Sequence, residues 1–154
     1  MPQMGVQSPA EVLRRFWTMV EHYHGQVWDG SQIGASLGVT HHTTRKYLDV
    51  LTGAYVVRQL QPWLENLGKR VVKSPKVYVR DSGLLHSLLN IPDLRSLQAH
   101  PKLGASWEGF VIEQILSWAG ERNAYFWGTH GGAELDLLVN AKGKRWGCRV
   151  PRPG

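Results

Sequence analysis

The chain has 154 residues, of which 42% are hydrophobic and 19% charged. That composition excludes wholesale disorder, and the length suits one ordinary domain or two small ones, with a core that needs no disulfide or metal. Lys and Arg outnumber Asp and Glu by 18 to 12, a net charge of +6. The single cysteine, Cys148, excludes an internal disulfide and points to a reducing compartment. No apolar run is long enough to span a bilayer, and Met1-Pro-Gln-Met-Gly-Val carries no basic-then-apolar leader. A cytoplasmic protein with no membrane partner is the expectation.

The charge is uneven. Residues 1–80 carry 10 basic and 5 acidic residues, whereas residues 81–154 carry 8 and 7. The imbalance suggests two modules with different partners.

Ser8-Pro9-Ala10-Glu11 predicts a helix start, with Ser8 as cap, Pro9 in the first turn and Glu11 closing a capping box. Val12, Phe16, Met19, Val20 and Tyr23 follow at helical spacing, and Gly25 ends the run. A second short helix is expected over 31–37, then a turn at Gly38-Val39. Thr40 caps a third helix over 41–52, whose core side is Tyr47, Leu48 and Leu51. Two helices around a glycine turn form the helix-turn-helix pattern. Thr40, His41, Thr43, Thr44, Arg45 and Lys46 would project from the recognition helix toward bases and phosphates.

Residues 54–63 alternate as a strand broken at Pro62, 65–68 form a turn, and 69–80 form a second strand region. This hairpin would be the wing of a winged helix. Lys69, Arg70, Lys73, Lys76 and Arg80 make it a basic stripe suited to a phosphate backbone. The competing reading is a packing module with a merely solvated wing. Trp28 and Trp63 are expected as core or hinge residues rather than base-stacking platforms.

Asp81 caps a short connecting helix over 82–90, and 91–101 reads as a loop with a mobile tip. The strongest helix spans 103–120, with Trp107, Phe110, Val111, Gln114, Ile115 and Trp118 on its apolar face. Strands are expected over 124–129, 133–139 and 144–150, with turns at Gly131-Gly132 and Lys142-Gly143. The central strand puts Glu134 and Asp136 on one side. With Glu108 they could form a carboxylate cluster for Mg²⁺, or they could face solvent and pair with Lys142, Lys144 or Arg145. The expected fold class is α+β: a winged helix-turn-helix over 8–80, a connector over 81–102, and a helix with a three-strand sheet over 103–150.

Three segments carry a family resemblance. They are Leu60-Gln-Pro-Trp-Leu-Glu-Asn-Leu-Gly-Lys-Arg70 with Lys73-Ser-Pro-Lys-Val-Tyr-Val-Arg-Asp-Ser-Gly-Leu-Leu-His86, then Leu103-Gly-Ala-Ser-Trp-Glu-Gly-Phe-Val-Ile-Glu113, then Gly131-Gly-Ala-Glu-Leu-Asp-Leu-Leu138. They resemble the C-terminal half of predicted prokaryotic ATPases of the AAA+ superfamily. In that family an ATPase domain precedes a winged helix and a domain resembling the PD-(D/E)xK nuclease fold. No phosphate-binding G-x-x-x-x-G-K-[ST] loop occurs here. ATP would therefore be bound only by the ATPase domain that this chain lacks, and the chain is expected to be a C-terminal piece of a longer protein.

The resemblance implies a nuclease-like site with Glu108 and Asp136 as metal ligands. Arg149 stands where the family has a glutamate and Pro151 where it has a lysine. Metal-activated cleavage needs both groups, so the second half is expected to be a degenerate, truncated nuclease-like domain without catalysis or cofactor. Val150-Pro-Arg-Pro-Gly154 also departs from the family pattern, as a frame change or cut near Cys148 would produce. An open sheet edge there would favour a homodimer.

The expected function is a non-catalytic module that binds DNA through Thr43, Thr44, Arg45, Lys46, Lys69, Arg70, Lys73 and Lys76. Alternatives are a regulatory domain docked on an ATPase domain, in the same chain or a partner, and a metal-dependent nuclease using Glu108, Glu134 and Asp136. His22 with His24, adjacent His41-His42, and Cys148 are read as ordinary structural residues.

Overall fold

Local capping sets the first helix, α1 (Pro9–Tyr23): Ser8 accepts a hydrogen bond from the Glu11 N–H, and the Glu11 carboxylate accepts one from the Ser8 N–H. A computed structural model of the chain describes residues 8–64, 72–132 and 134–153. Val12, Phe16 and Val20 turn inward from α1. Gly25, at φ 79°, turns the chain out of the helix, and its N–H donates to the Val77 carbonyl at 2.8 Å.

A two-residue strand, β1 (Gln26–Val27), leads into α2 (Gly30–Leu37), capped by Asp29. Thr40 caps α3 (His41–Gly53) by accepting from the Thr43 N–H. The two helices approach closely at Gly34, where an added Cβ would lie 2.6 Å from the Val39 carbonyl oxygen. Gly34→Ala is therefore expected to cost about 1–3 kcal/mol in urea unfolding. Gly104→Ala, whose Cβ meets nothing within 4 Å, serves as the neutral control.

Next come β2 (Val57–Pro62) and β3 (Lys76–Val79), which pair antiparallel, with β1 on the far side of β3. A connector follows, α4 (Ser82–Leu88) capped by Asp81, then α5 (Leu94–Gln98). The expected loop over 91–101 thus contains a helical turn that Asp93 caps. The long helix α6 (Leu103–Ala119) precedes an antiparallel meander of β4 (Ala124–Gly128), β5 (Glu134–Ala141) and β6 (Lys144–Cys148).

The architecture is mixed α+β, and among the described residues six strands form one sheet in the order β1-β3-β2-β4-β5-β6. The joint is parallel pairing of β2 with β4, Gln61 against Tyr125 and Pro62 against Phe126. Pro62, expected to break the strand, is its last residue and the point of contact. Among the described residues no helix is long and apolar enough to cross a membrane.

Two cores lie on opposite faces of the β2–β3 ribbon. One gathers Phe16, Ile33, Leu48, Val57, Val77 and Val79, and the other Leu60, Tyr78, Ile112, Leu116, Phe126 and Leu137. Alternate β3 residues go to alternate cores, so the whole strand is buried. Trp28 is a core residue, edge-on to Phe16.

Charge also joins the halves. Arg58 on β2 donates to Glu113 of α6 at 3.1 Å and to Glu121 at 2.9 Å. Arg80 donates to Glu121 at 2.7 Å and lies 3.4 Å from Glu113.

The α6 face differs from expectation. Ser106, Gly109, Ile112 and Leu116 face inward, while Trp107, Phe110 and Trp118 are exposed, Trp118 at 89%. The reason is close packing: a Cβ at Gly109 would meet the His24 ring at 2.8 Å and Tyr78 at 3.2 Å. The helix lies down on its small residues, and its large aromatics are left outside.

Candidate functional site

Helix α6 brings Glu108, and strand β5 brings Glu134 and Asp136, to one cleft of about 830 Å³. Arg149, Val150 and Arg152, after β6, line its other side. The three carboxylates expected as a cluster are thus brought to one place. The contacts that hold them come from elsewhere in the fold than the β5–β6 turn. Lys76 on β3 places its Nζ 3.6 Å from Glu108 and 3.8 Å from Glu134. The Tyr78 hydroxyl donates a short hydrogen bond to Glu108. Asp136 is 6% exposed, and its Oδ2 accepts the Val150 N–H at 2.7 Å.

Burial dominates the electrostatics. It raises the Glu108 carboxyl above its usual range, against the opposing pull of Lys76 and the Tyr78 hydrogen bond. Burial first, then the Glu108 charge, pushes the Tyr78 phenol far up, so it stays a donor. Among the described residues no group of three or more His, Cys, Asp or Glu side chains is arranged to hold a metal ion. An ammonium stands against Glu108 and Glu134, and Arg149 adds a second cation, so a divalent ion does not fit this donor set.

The second candidate surface is the start of α3. His41, His42, Arg45 and Lys46 are exposed, and Thr43 is half-buried with its hydroxyl 3.1 Å from that of Thr40. Arg45 also reaches Asp49 at 3.5 Å, an exposed pair along the helix. Two expected contacts are corrected. Thr44 is fully buried and donates its hydroxyl to the His41 carbonyl at 2.8 Å, so it faces the core. Lys76 is 6% exposed and turned toward the carboxylates, so it does not belong to a solvent-facing basic stripe. Arg80 is likewise engaged with Glu113 and Glu121. Lys73 is exposed, and Lys69 and Arg70 lie outside the described residues.

Sequence reasoning gave two residues the wrong role or too small a one. One is Lys76, whose signal was a lysine leading the apolar run Val77-Tyr78-Val79. The other is His24, read as ordinary. Its Nδ1 accepts the Val79 N–H at 2.9 Å, which fixes the proton on Nε2 and makes that nitrogen a donor to the Ala105 carbonyl, also at 2.9 Å. One neutral imidazole thereby ties β3 to α6. No sequence motif marks it.

A third surface is apolar. Trp107 stacks on Phe110 with centroids 5.8 Å apart, beside a cleft of about 310 Å³ that Leu97, Leu103 and His86 help to line.

Comparison with known proteins adds the following. Residues 1–95 match a domain of unknown function (DUF8612), and residues 103–151 match another domain of unknown function (DUF4143). The chain is 52% identical over 150 residues to the uncharacterized protein Mb2031c of Mycobacterium bovis, and equally to the uncharacterized protein Rv2008c of Mycobacterium tuberculosis. Each alignment covers 97% of this chain but 34% of the relative, so the chain spans about a third of their length. No solved structure matches.

Proposed function

This chain belongs to the family of the domain of unknown function DUF8612, and we propose that it is a DNA-binding winged-helix module fused to a non-catalytic, nuclease-like half. The observation that carries the reading is the two-sidedness of α3. Thr44 and Leu48 are buried, while His41, His42, Arg45 and Lys46 stand exposed at its N-terminal end. A recognition helix needs that disposition to enter a groove. The element order α1-β1-α2-α3-β2-β3 with the sheet order β1-β3-β2 supports a winged helix. The net charge of +6 favours a polyanion. Lys73, at the exposed approach to β3, would meet the phosphate backbone.

The test is fluorescence anisotropy of a labelled generic duplex at two salt concentrations. Micromolar binding should fall steeply with salt, because counterion release supplies most of the affinity. Arg45→Ala/Lys46→Ala removes two phosphate-facing cations and should weaken binding and lower the salt slope by about 2. No binding at low salt would remove the DNA reading.

The exposed aromatics of α6 favour a second reading. Trp107, Phe110 and Trp118 form the kind of surface that a partner domain covers. In a longer AAA+ protein, that partner would be the ATPase domain, in the same chain or a neighbouring subunit, and ATP would bind there. Pull-down with such a domain, lost in Trp107→Ala/Phe110→Ala, separates docking from DNA binding.

A further inference from the structure

A lysine is an expensive residue to place in a strand buried on both faces. Lys76 leads β3, where Val77, Tyr78 and Val79 are 0%, 0% and 3% exposed. Its side chain runs over the Phe126 ring, with Nζ 5.4 Å from the centroid, and ends between carboxylates from two different elements. Glu108 comes from α6 and Glu134 from β5. The Tyr78 hydroxyl saturates Glu108 further, and the Val150 N–H takes Asp136. Within the cleft the ammonium thus meets Glu108 and Glu134, while Arg149 and Arg152 line the same space beside Asp136.

We propose that Lys76 is the built-in cation of this cleft, a single ammonium that bridges Glu108 and Glu134 and takes the place a divalent metal ion would need. A Mg²⁺ ion takes oxygen ligands at about 2.0–2.1 Å, one or two of them carboxylates and the rest water. Nζ lies 3.6 and 3.8 Å from the two oxygens that such a shell would use. Binding a divalent ion there would require moving a buried ammonium away from its partners, or holding two like charges together. The chain's own cations, Lys76 with Arg149 and Arg152 at the lining, therefore offset these carboxylates, and the Lys76 charge joins the two halves. The inference deepens the reading of the second half as non-catalytic, and it is independent of DNA binding by α3.

The test compares the chain with Lys76→Met, using the electron-spin-resonance signal of free Mn²⁺ as the probe. The unsubstituted chain should show no saturable Mn²⁺ site. Lys76→Met, which keeps the length and removes the charge, frees Glu108 and Glu134 to close on an ion and should bind Mn²⁺ at least about tenfold more tightly than the unsubstituted chain does. Asp136→Asn in the Lys76→Met background should abolish it, and Lys76→Arg should remain indifferent to Mn²⁺. An unsubstituted chain that binds Mn²⁺ as tightly as Lys76→Met overturns the proposal, as does a folded Lys76→Met that binds no better. Should Lys76→Met fail to fold, Lys76→Met/Glu108→Gln, which removes both charges of the buried pair, should fold and melt near the original temperature. A double variant as unstable as the single one also overturns it. DNA binding measured in parallel stays unchanged if only this inference fails.

Discussion

Glu113→Ala is expected to lower the unfolding free energy by about 3 kcal/mol, near the lower end of what removing one partner of a buried ion pair costs. The Arg58 side chain is 10% exposed and that of Glu113 is 15% exposed. Burial works against the Arg58 charge, yet hydrogen bonds to Glu113 and Glu121 hold its pKa above the ordinary value. Without Glu113 the guanidinium keeps only Glu121, whose side chain is half exposed. The melting temperature should fall by about 6–12 °C for a chain of this size. Glu121→Ala should cost less than about 1 kcal/mol, because an exposed carboxylate contributes little. Arg58→Met/Glu113→Leu should recover most of the loss, since a well-packed apolar pair can replace a buried ionic one. Equal losses for Glu113→Ala and Glu121→Ala would show that Arg58 does not depend on the inner carboxylate.

Acid should unfold the protein through His24. Burial is the first cause that lowers this imidazole from its usual 6.5 to about 4, with Lys102 and His86 adding to it against the Ala105 hydrogen bond. The folded state therefore holds the ring neutral while the unfolded state takes up a proton. The stabilisation is complete above pH 6.5 and is lost as the pH falls toward 4, for a total of about 3 kcal/mol. Over that window the slope is up to about 1.4 kcal/mol per pH unit. Glu108 and Glu21 act in the opposite sense. Burial raises both carboxyls, so each binds protons more readily when folded and gains stability as the pH falls. Comparing variants isolates the histidine. His24→Gln should be less stable at neutral pH and should show a shallower slope between pH 4 and 6.5, by up to one proton. Denaturant unfolding at several pH values measures both, and parallel profiles would assign the acid sensitivity elsewhere.

These two devices mark where reading the sequence stops. The capped helices α1 to α4 and the meander β4–β6 are written in local signals: Ser8 with Glu11, Asp29, Thr40, Asp81, and the turns at Gly132 and Gly143. The carboxylates were legible too, because Glu134 and Asp136 interrupt an otherwise apolar strand. Their partner was not. Lys76 lies 58 positions before Glu134 in the chain, and its placement follows from β3 being sandwiched between two cores. The face of α6 was misassigned for a related reason. Large apolar residues predict burial only when nothing needs a closer approach, and Gly109 against His24 does. Parallel pairing of β2 with β4 leaves no local trace at all, since its partners are 64 positions apart.

That pairing has a consequence for how such proteins diversify. The family matches meet between residues 95 and 103, at what would be the natural point for recombination. A crossover there would separate Gln61 from Tyr125, Leu60 and Tyr78 from Phe126, and Arg58 from Glu113 in one event. A foreign second segment would inherit a half-finished sheet, an incomplete core and an orphaned guanidinium. The two segments are therefore expected to be exchanged only as a unit, and a substitution on one side of the β2–β4 seam should be answered by a substitution on the other.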